Sequence, residues 1–150
     1  MTTAQRVREL DIEQIEDAIV KRLEPLNNSS VRVYPFPDNP QELKKPAGDR
    51  VLVGFRREVF STPQSNNPLA PIQQQRSLQF EVVLQLKNLR THAGAYPVMA
   101  RIRDLLSGSF PDKNKPLYQT AGGFVDVTEG LWTYSMTFTL QTFYVKRPEN

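Results

Sequence analysis

The sequence contains no cysteine, only one histidine and no long apolar run. The lack of cysteine among 150 residues excludes disulfide bonds, thiolate zinc sites and thiol nucleophiles, and it suits folding in a reducing cytoplasm. No stretch approaches the roughly 20 apolar residues that a membrane-spanning helix needs. The first residues also lack the apolar segment of a secretion signal. We therefore expect a soluble, unprocessed protein with no membrane partner.

Motifs for catalysis and nucleotide binding are absent as well. The histidine, His92, lies in a polar turn with neither cysteine nor metal-spaced carboxylates beside it. No phosphate-binding glycine loop or nucleophile elbow occurs, because the Gly122-Gly123 pair precedes a strand pattern and not a helix. We therefore expect no enzymatic activity, no cofactor and no metal ion.

The charge balance is small and mixed in sign. The chain has 19 lysine and arginine residues and 16 aspartate and glutamate residues, a net charge of +3. A nucleic-acid-binding domain usually concentrates positive charge in one stripe, whereas the basic clusters here are short. We interpret Lys44-Lys45, Arg56-Arg57 and Lys146-Arg147 as solvated surface. A nucleic-acid-binding α/β module remains an alternative.

Hydrophobic periodicity predicts two amphipathic helices. We expect the first to follow Asp11, which can cap it, and Gln14 three residues later suits a capping box. The second has Pro97 in its first turn and ends at Gly108. The apolar positions with helical spacing are Ile12, Ile15, Ile19, Leu23 and Leu26 in the first helix and Val98, Ile102, Leu105 and Leu106 in the second.

Alternating apolar residues predict about five strands, the last of which is the longest. The second predicted strand places Val51, Val53, Phe55 and Val59 on one face. The last places a bulky row opposite hydroxyl side chains, and we interpret this row as core. The predicted strands are Val31–Tyr34, Arg50–Phe60, Leu78–Leu86, Leu117–Val127 and Leu131 to about Tyr144, and the bulky row is Trp132, Tyr134, Met136, Phe138 and Leu140.

Together these elements predict a single α+β domain over residues 1–150. The expected architecture is a two-layer sandwich, in which a mainly antiparallel or mixed sheet of about five strands carries two helices on one face. Residues 1–10 are predicted to form a flexible arm, and residues 146–150 a short tail. Residues 61–75 contain three prolines and no charge, and we predict a long loop there.

Two features of this architecture predict surfaces for a partner. The uncharged loop 61–75 is unusually long for a compact domain, and loops of that kind are often functional. A strand from Leu131 to Tyr144 would span about 45 Å, whereas a 14-residue helix covers only about 21 Å. Unless a bulge breaks that strand, part of its apolar row must therefore extend beyond the domain core, where another chain could cover it.

The order of these patterns over residues 11–145 resembles the tail terminator proteins of contractile-tailed phages. This Mu-like family is thought to share the fold of the lambda tail terminator. The resemblance rests on Gly94-Ala95-Tyr96 before a helix that ends in Leu105-Leu106-Ser107-Gly108, and on the Gly-x-Trp-x-Tyr strand at Gly130, Trp132 and Tyr134. These residues are structural signatures and not catalytic ones.

The resemblance implies a virion protein that forms a ring, typically of six copies, at the head-proximal end of the tail tube. Such a ring stops tube growth and provides the surface that joins the head. The implied partners are copies of the chain itself, the tail tube protein, neck or connector proteins and the tail sheath, while DNA passes through the lumen. Another head–tail connector or a tail-tube component is the alternative within virion structure.

The candidate interface residues come from the residue patterns, and the resemblance itself assigns none of them. We expect the loop to reach a neighbour or the tube, with arginines beside it and the end of the last strand contributing. They are Asn66, Asn67, Leu69, Ile72, Gln73, Gln74, Gln75, Arg76, Arg56, Arg57 and Tyr144.

Overall fold

The computed structural model describes residues 12–28, 31–39, 41, 48–87, 94–111 and 115–148. The predictions for residues 1–10, for the cap at Asp11 and for His92 lie outside these residues. In chain order the elements are α1 (Ile12–Arg22), a 3-10 helix (Glu24–Asn28), β1 (Arg32–Pro35), β2 (Arg50–Phe60), β3 (Ile72–Lys87), α2 (Ala95–Leu106), β4 (Leu117–Thr128) and β5 (Leu131–Lys146).

The strands form one mixed sheet in the order β1-β2-β3-β5-β4. The first two strands are parallel and all other neighbours are antiparallel. The β4–β5 connection is a two-residue turn in which Glu129 and Gly130 both have positive φ, 52° and 78°. Two consecutive positive φ angles are the geometry of a type I′ turn, which suits the twist of a hairpin. The predicted α+β class and sheet are confirmed.

Both helices pack on one face of this sheet, which we call the helix face. Alternate residues of the three central strands point into it, and Phe80, Val82 and Phe138 are fully buried there. The apolar faces of the two helices form the other side of the core, as their periodicity predicts, with Ile19 from α1 and Ile102 from α2. Burying each such side chain contributes about 1.5–3 kcal/mol, which makes this layer the main source of stability.

The second helix ends as its sequence predicts. The backbone N–H of Ser107 donates to the carbonyl of Arg103, and Gly108 follows in the left-handed region with φ of +76°. That geometry suits glycine, which has no Cβ to oppose it. The backbone N–H of Gly108 then donates to the carbonyl of Leu117 at 2.8 Å, so the helix stop also brings the chain to the start of β4.

The opposite sheet face, which we call the outer face, is largely polar. There Arg50 donates to the Gln85 side chain at 2.6 Å, and Ser135 donates to the Glu81 carboxylate at 2.7 Å. The ring of Phe36 covers Gly54, since a Cβ at Gly54 would lie 2.5 Å from that ring. Glycine is therefore required by close packing at this point of β2.

One prediction about β2 is wrong. Phe55 pairs with Phe80 and Arg57 with Gln79, so Arg56 is the extra residue of a β-bulge. A bulge shifts the two-residue alternation by one position. As a result Val59 lies on the outer face and not beside Phe55, and 44% of it is exposed.

Candidate protein–protein interface

Three strands continue past the region that the helices cover. In β3 the buried residues begin at Leu78, and in β5 they end at Leu140, its register partner. Pairing goes on for six more residue pairs, as far as Ile72 with Lys146, which adds about 20 Å of sheet. We call this extension the arm: Ile72–Ser77 of β3, Gln141–Lys146 of β5, the connecting loop 61–71 and Arg57–Phe60 of β2, where Arg57 and Glu58 form its base beside Gln79 and Leu78. The arm tip is the loop together with residues 145–148 at the end of β5.

The predicted loop 61–75 is shorter in the structure, because β3 begins at Ile72. Glutamines 73–75 have a weak strand signal of their own, and it is pairing with β5 that makes them a strand. The remaining loop is tied to β3 by hydrogen bonds. Gln75 N donates to Ser61 Oγ at 2.8 Å, Gln74 Nε2 donates to Ser61 O at 2.8 Å, and Gln64 N donates to Gln73 O at 3.2 Å.

Side chains on the helix face of the arm contact each other. Arg76 forms an ion pair with Glu58 at 2.8 Å, and its guanidinium lies 5.9 Å from the centre of the Phe60 ring. Tyr144 meets the same ring edge to face, with the ring centres 6.0 Å apart. Ion pairs and aromatic contacts of this kind stabilise by only about 1 kcal/mol each at a surface. They fix the shape of the arm without burying a core.

The arm exposes apolar side chains on both faces. Phe143 and Val145 are 49% and 51% exposed on the outer face, while Phe60 and Ile72 are exposed on the helix face. Leu69 in the loop is 84% exposed. An apolar set this concentrated on a projecting segment is typical of a protein–protein contact.

The structure brings nearly all of the predicted interface residues together in the arm. Asn66, Asn67 and Leu69 lie in its loop, and residues 72–76 in its middle strand. Arg56 is the exception, because it lies at the base of the arm and donates to Thr137 Oγ1 at 3.1 Å. Arg57 donates to the Gln79 side chain at 3.1 Å. Both arginines are therefore set back from the loop that they were predicted to flank.

Sequence reasoning missed four exposed apolar residues of the arm, namely Val59, Phe60, Phe143 and Val145. A signal for the last two exists in the sequence. From Trp132 to Leu140 the bulky residues of β5 occupy even positions, whereas Phe143 and Val145 occupy odd ones. The apolar row thus changes face beyond residue 140, which indicates that the core has ended and a different surface has begun.

A second exposed surface lies at the other end of the sheet, on the helix face. Phe124 on edge strand β4 is 54% exposed, and its ring lies 5.7 Å from those of Trp132 and Tyr134. Tyr96 of α2 adds its ring 6.4 Å from Tyr134. Half of this aromatic cluster is therefore core and half is available to a partner.

A third surface, which we call the acidic groove, lies at the same end of the sheet on the outer face. Its volume is about 530 Å³. Three of its lining residues are charged, and all three are acidic. The acids are Glu81, Asp126 and Glu129, and the apolar lining residues are Phe36, Val83, Val125 and Leu131.

One carboxyl has a perturbed pKa, and it lies away from these surfaces. Burial raises the pKa of Glu16 in α1 above its usual 4.5, while a hydrogen bond from the backbone N–H of Phe55, at 3.1 Å, opposes the rise. This carboxylate joins the helix to β2. Within the part of the chain that the structure describes, no group of three metal-ligating side chains could hold an ion, and no helix is long and apolar enough to cross a membrane.

Residues 19–150 match a known family, described as "Gp37 protein". None of the curated proteins matches the chain. Among solved structures, a chain of the "Virion of native gene transfer agent (GTA) particle" shares the fold with a TM-score of 0.54 at 14% sequence identity. The match covers 92% of this chain and 99% of that one.

Proposed function

We propose that this chain, which belongs to the Gp37 protein family, is a structural virion protein. Its specific role is that of a tail terminator. Copies of the chain form a ring at the head-proximal end of the tail tube, stop the growth of the tube and provide the surface to which the head is joined.

The arm is the observation that carries this proposal. It extends the sheet about 20 Å past the core, and it exposes Phe143, Val145 and Leu69 to solvent. When a partner covers apolar surface, the free energy of the complex falls by about 25 cal/mol for each square ångström that is buried. A projecting apolar contact of this kind suits a subunit that binds its neighbours in a ring.

The shared fold supports the same conclusion. The similar chain is part of the virion of a gene transfer agent particle, and the likeness runs over nearly the full length of both chains. Residues that carry the predicted resemblance also serve the fold. Trp132 and Tyr134 contribute to the aromatic cluster, and Gly130 permits the turn between β4 and β5.

We also propose that the protein has no catalytic role. Within the described residues, the buried polar side-chain atoms have hydrogen-bond partners, and Arg50 with Gln85 and Ser135 with Glu81 are two such structural contacts. The function then depends on which surfaces bind, and it can be tested by assembly alone.

Electron microscopy of tails made with and without the protein tests the proposal. We expect tubes of uniform length with the protein and overlong tubes without it. Light scattering should give a monomer of 17.2 kDa that joins tubes, or a ring of about 103 kDa for six copies. Absence of all tubes would indicate a tube component, and a stable dimer that never joins tubes would contradict both roles.

A further inference from the structure

The arm and the acidic groove lie at opposite ends of the same strands. Lys146 ends β5 within the arm, whereas Leu131 begins β5 and lines the groove. Asp126 in the groove pairs with Thr133, which lies 13 positions before Lys146, and at about 3.3 Å per position the two charges are about 40 Å apart. The tip of the arm therefore cannot reach Asp126 of the same chain, so any contact between the tip and these acids joins two copies.

The tip of the arm combines apolar side chains with positive charge. Residues 61–75 carry no charge, so the charge at the tip comes from Lys146 and Arg147. Both are exposed, and with loop residues such as Asn67 they line a groove of about 530 Å³ at the end of β5. Val145, half exposed, precedes them directly.

The acidic groove has the opposite charge and a similar apolar content. Asp126 and Glu129 are exposed, and Val125 beside them is 53% exposed. Of the two bases nearby, Arg50 is buried and donates to the Gln85 side chain on the groove wall. The other, Lys87, is exposed beside Leu131 at the end of the groove, so the three acids outnumber the one exposed base. A segment with basic and apolar side chains would thus find both an ionic and an apolar complement in the groove.

We propose that the acidic groove of one copy receives the arm tip of a second copy. This contact rests on the proposed ring and names the two surfaces that form it. Because the two surfaces differ, the contact is heterologous, and its repetition closes a ring when each copy is rotated about one common axis by a whole fraction of a turn. Lys146 and Arg147 of one copy then lie against Asp126 and Glu129 of the next, and Val145 packs against Val125.

Cross-linking tests this arrangement directly, because the chain has no cysteine of its own. Thr128→Cys lies in the groove and Pro148→Cys at the arm tip, and neither change removes a charge. With a short bis-maleimide reagent, the double variant should form a ladder of multimers in solution or on tubes. The matched control combines Pro148→Cys with Ala100→Cys, an exposed site on α2, and should form no ladder.

Charge exchange is the second measurement. Reversing the charge of the arm tip with Lys146→Glu and Arg147→Glu should weaken association at least about tenfold. Reversing the charge of the groove with Asp126→Lys and Glu129→Lys should weaken association by a similar factor. Mixing the two reversed proteins should restore association to within about threefold of wild type. Glu129→Asn offers a variant that suits the turn, since asparagine accepts positive φ, and it should also weaken association.

The outcomes separate this contact from the proposed function. A ladder and a rescue by charge exchange support the contact. If wild-type protein caps tubes but the double-cysteine variant gives no ladder, the contact is wrong and the terminator role stands. If a ladder forms and tubes are never capped, the terminator role is wrong. Equal laddering by the control pair would overturn the contact as well.

Discussion

Strands β3 and β5 run through two regions that share a backbone pattern and differ in what covers them. From Leu78 to Leu86 strand β3 is covered by the helices on one face, and its apolar residues are buried. From Ile72 to Ser77 the same ladder continues with no buried residue. Backbone pairing thus sets how far the sheet extends, whereas burial sets where the stable core ends. The arm is a part of the fold whose apolar side chains contribute little until a partner covers them.

The largest expected effect contrasts one phenylalanine from each region. Phe138→Ala removes a fully buried ring from the core and should lower the free energy of unfolding by about 3–5 kcal/mol. Phe143→Ala removes a half-exposed ring from the arm and should lower it by less than about 1 kcal/mol. Urea unfolding curves of both variants measure these free energies. Similar losses for the two variants would contradict the distinction between core and arm.

A smaller effect is expected at the outer face, where close packing replaces a helix layer. Gly54→Ala places a Cβ against the ring of Phe36 and should cost about 1–3 kcal/mol of unfolding free energy. Gly123→Ala on β4 meets no atom within 4 Å and is the matched control. Adding Phe36→Ala should relieve part of the Gly54→Ala loss in thermal melts. If both glycine variants melt alike, the ring does not pack as described.

Contacts within the arm should matter less still. Arg76→Ala removes the ion pair with Glu58 and the contact with the Phe60 ring, which together should contribute at most about 2 kcal/mol. Arg57→Ala, which removes one hydrogen bond to Gln79, is the control. Denaturation at low and high salt measures both. A loss above about 3 kcal/mol for Arg76→Ala would mean that the arm is part of the cooperative core.

The smallest effect concerns pH. Burial raises the folded-state pKa of Glu16 above 4.5, so between the two values the folded state holds more protons than the unfolded state. The contribution of Glu16 to the free energy of unfolding therefore falls as the pH rises from the unfolded-state pKa to the folded-state pKa. Glu16→Gln keeps an acceptor for the Phe55 N–H and should flatten the pH dependence in the range just above pH 4.5. A variant with the wild-type slope would contradict the raised pKa.

The covered region could be predicted from the sequence because its signals are local. Helical spacing placed Ile15 and Ile19 inward, and two-residue alternation placed Met136 and Phe138 in the core, as the structure has them. The glycine stop at Gly108 and the turn at residues 128–130 depend only on neighbouring residues, and both occur.

The arm could be predicted only in part, because its limits depend on tertiary pairing. The length of the last strand correctly predicted an uncovered end. The bulge at Arg56 turned Val59 to the other face, and alternation along one strand contains no sign of such a shift. Likewise the three acids of the groove are 48 positions apart from first to last, and only the strand order brings Glu81 beside Asp126 and Glu129.

The central claim is that the arm serves a partner and not the stability of the chain. Replacing residues 62–74 with an Asn-Gly turn would close the hairpin between Ser61 and Gln75, which already pair. A tube-capping assay on this variant, with a thermal melt as its control, tests the claim most directly. We predict a melting temperature within about 5 °C of wild type and no capped tubes. A variant that melts like wild type and still caps tubes would contradict the account.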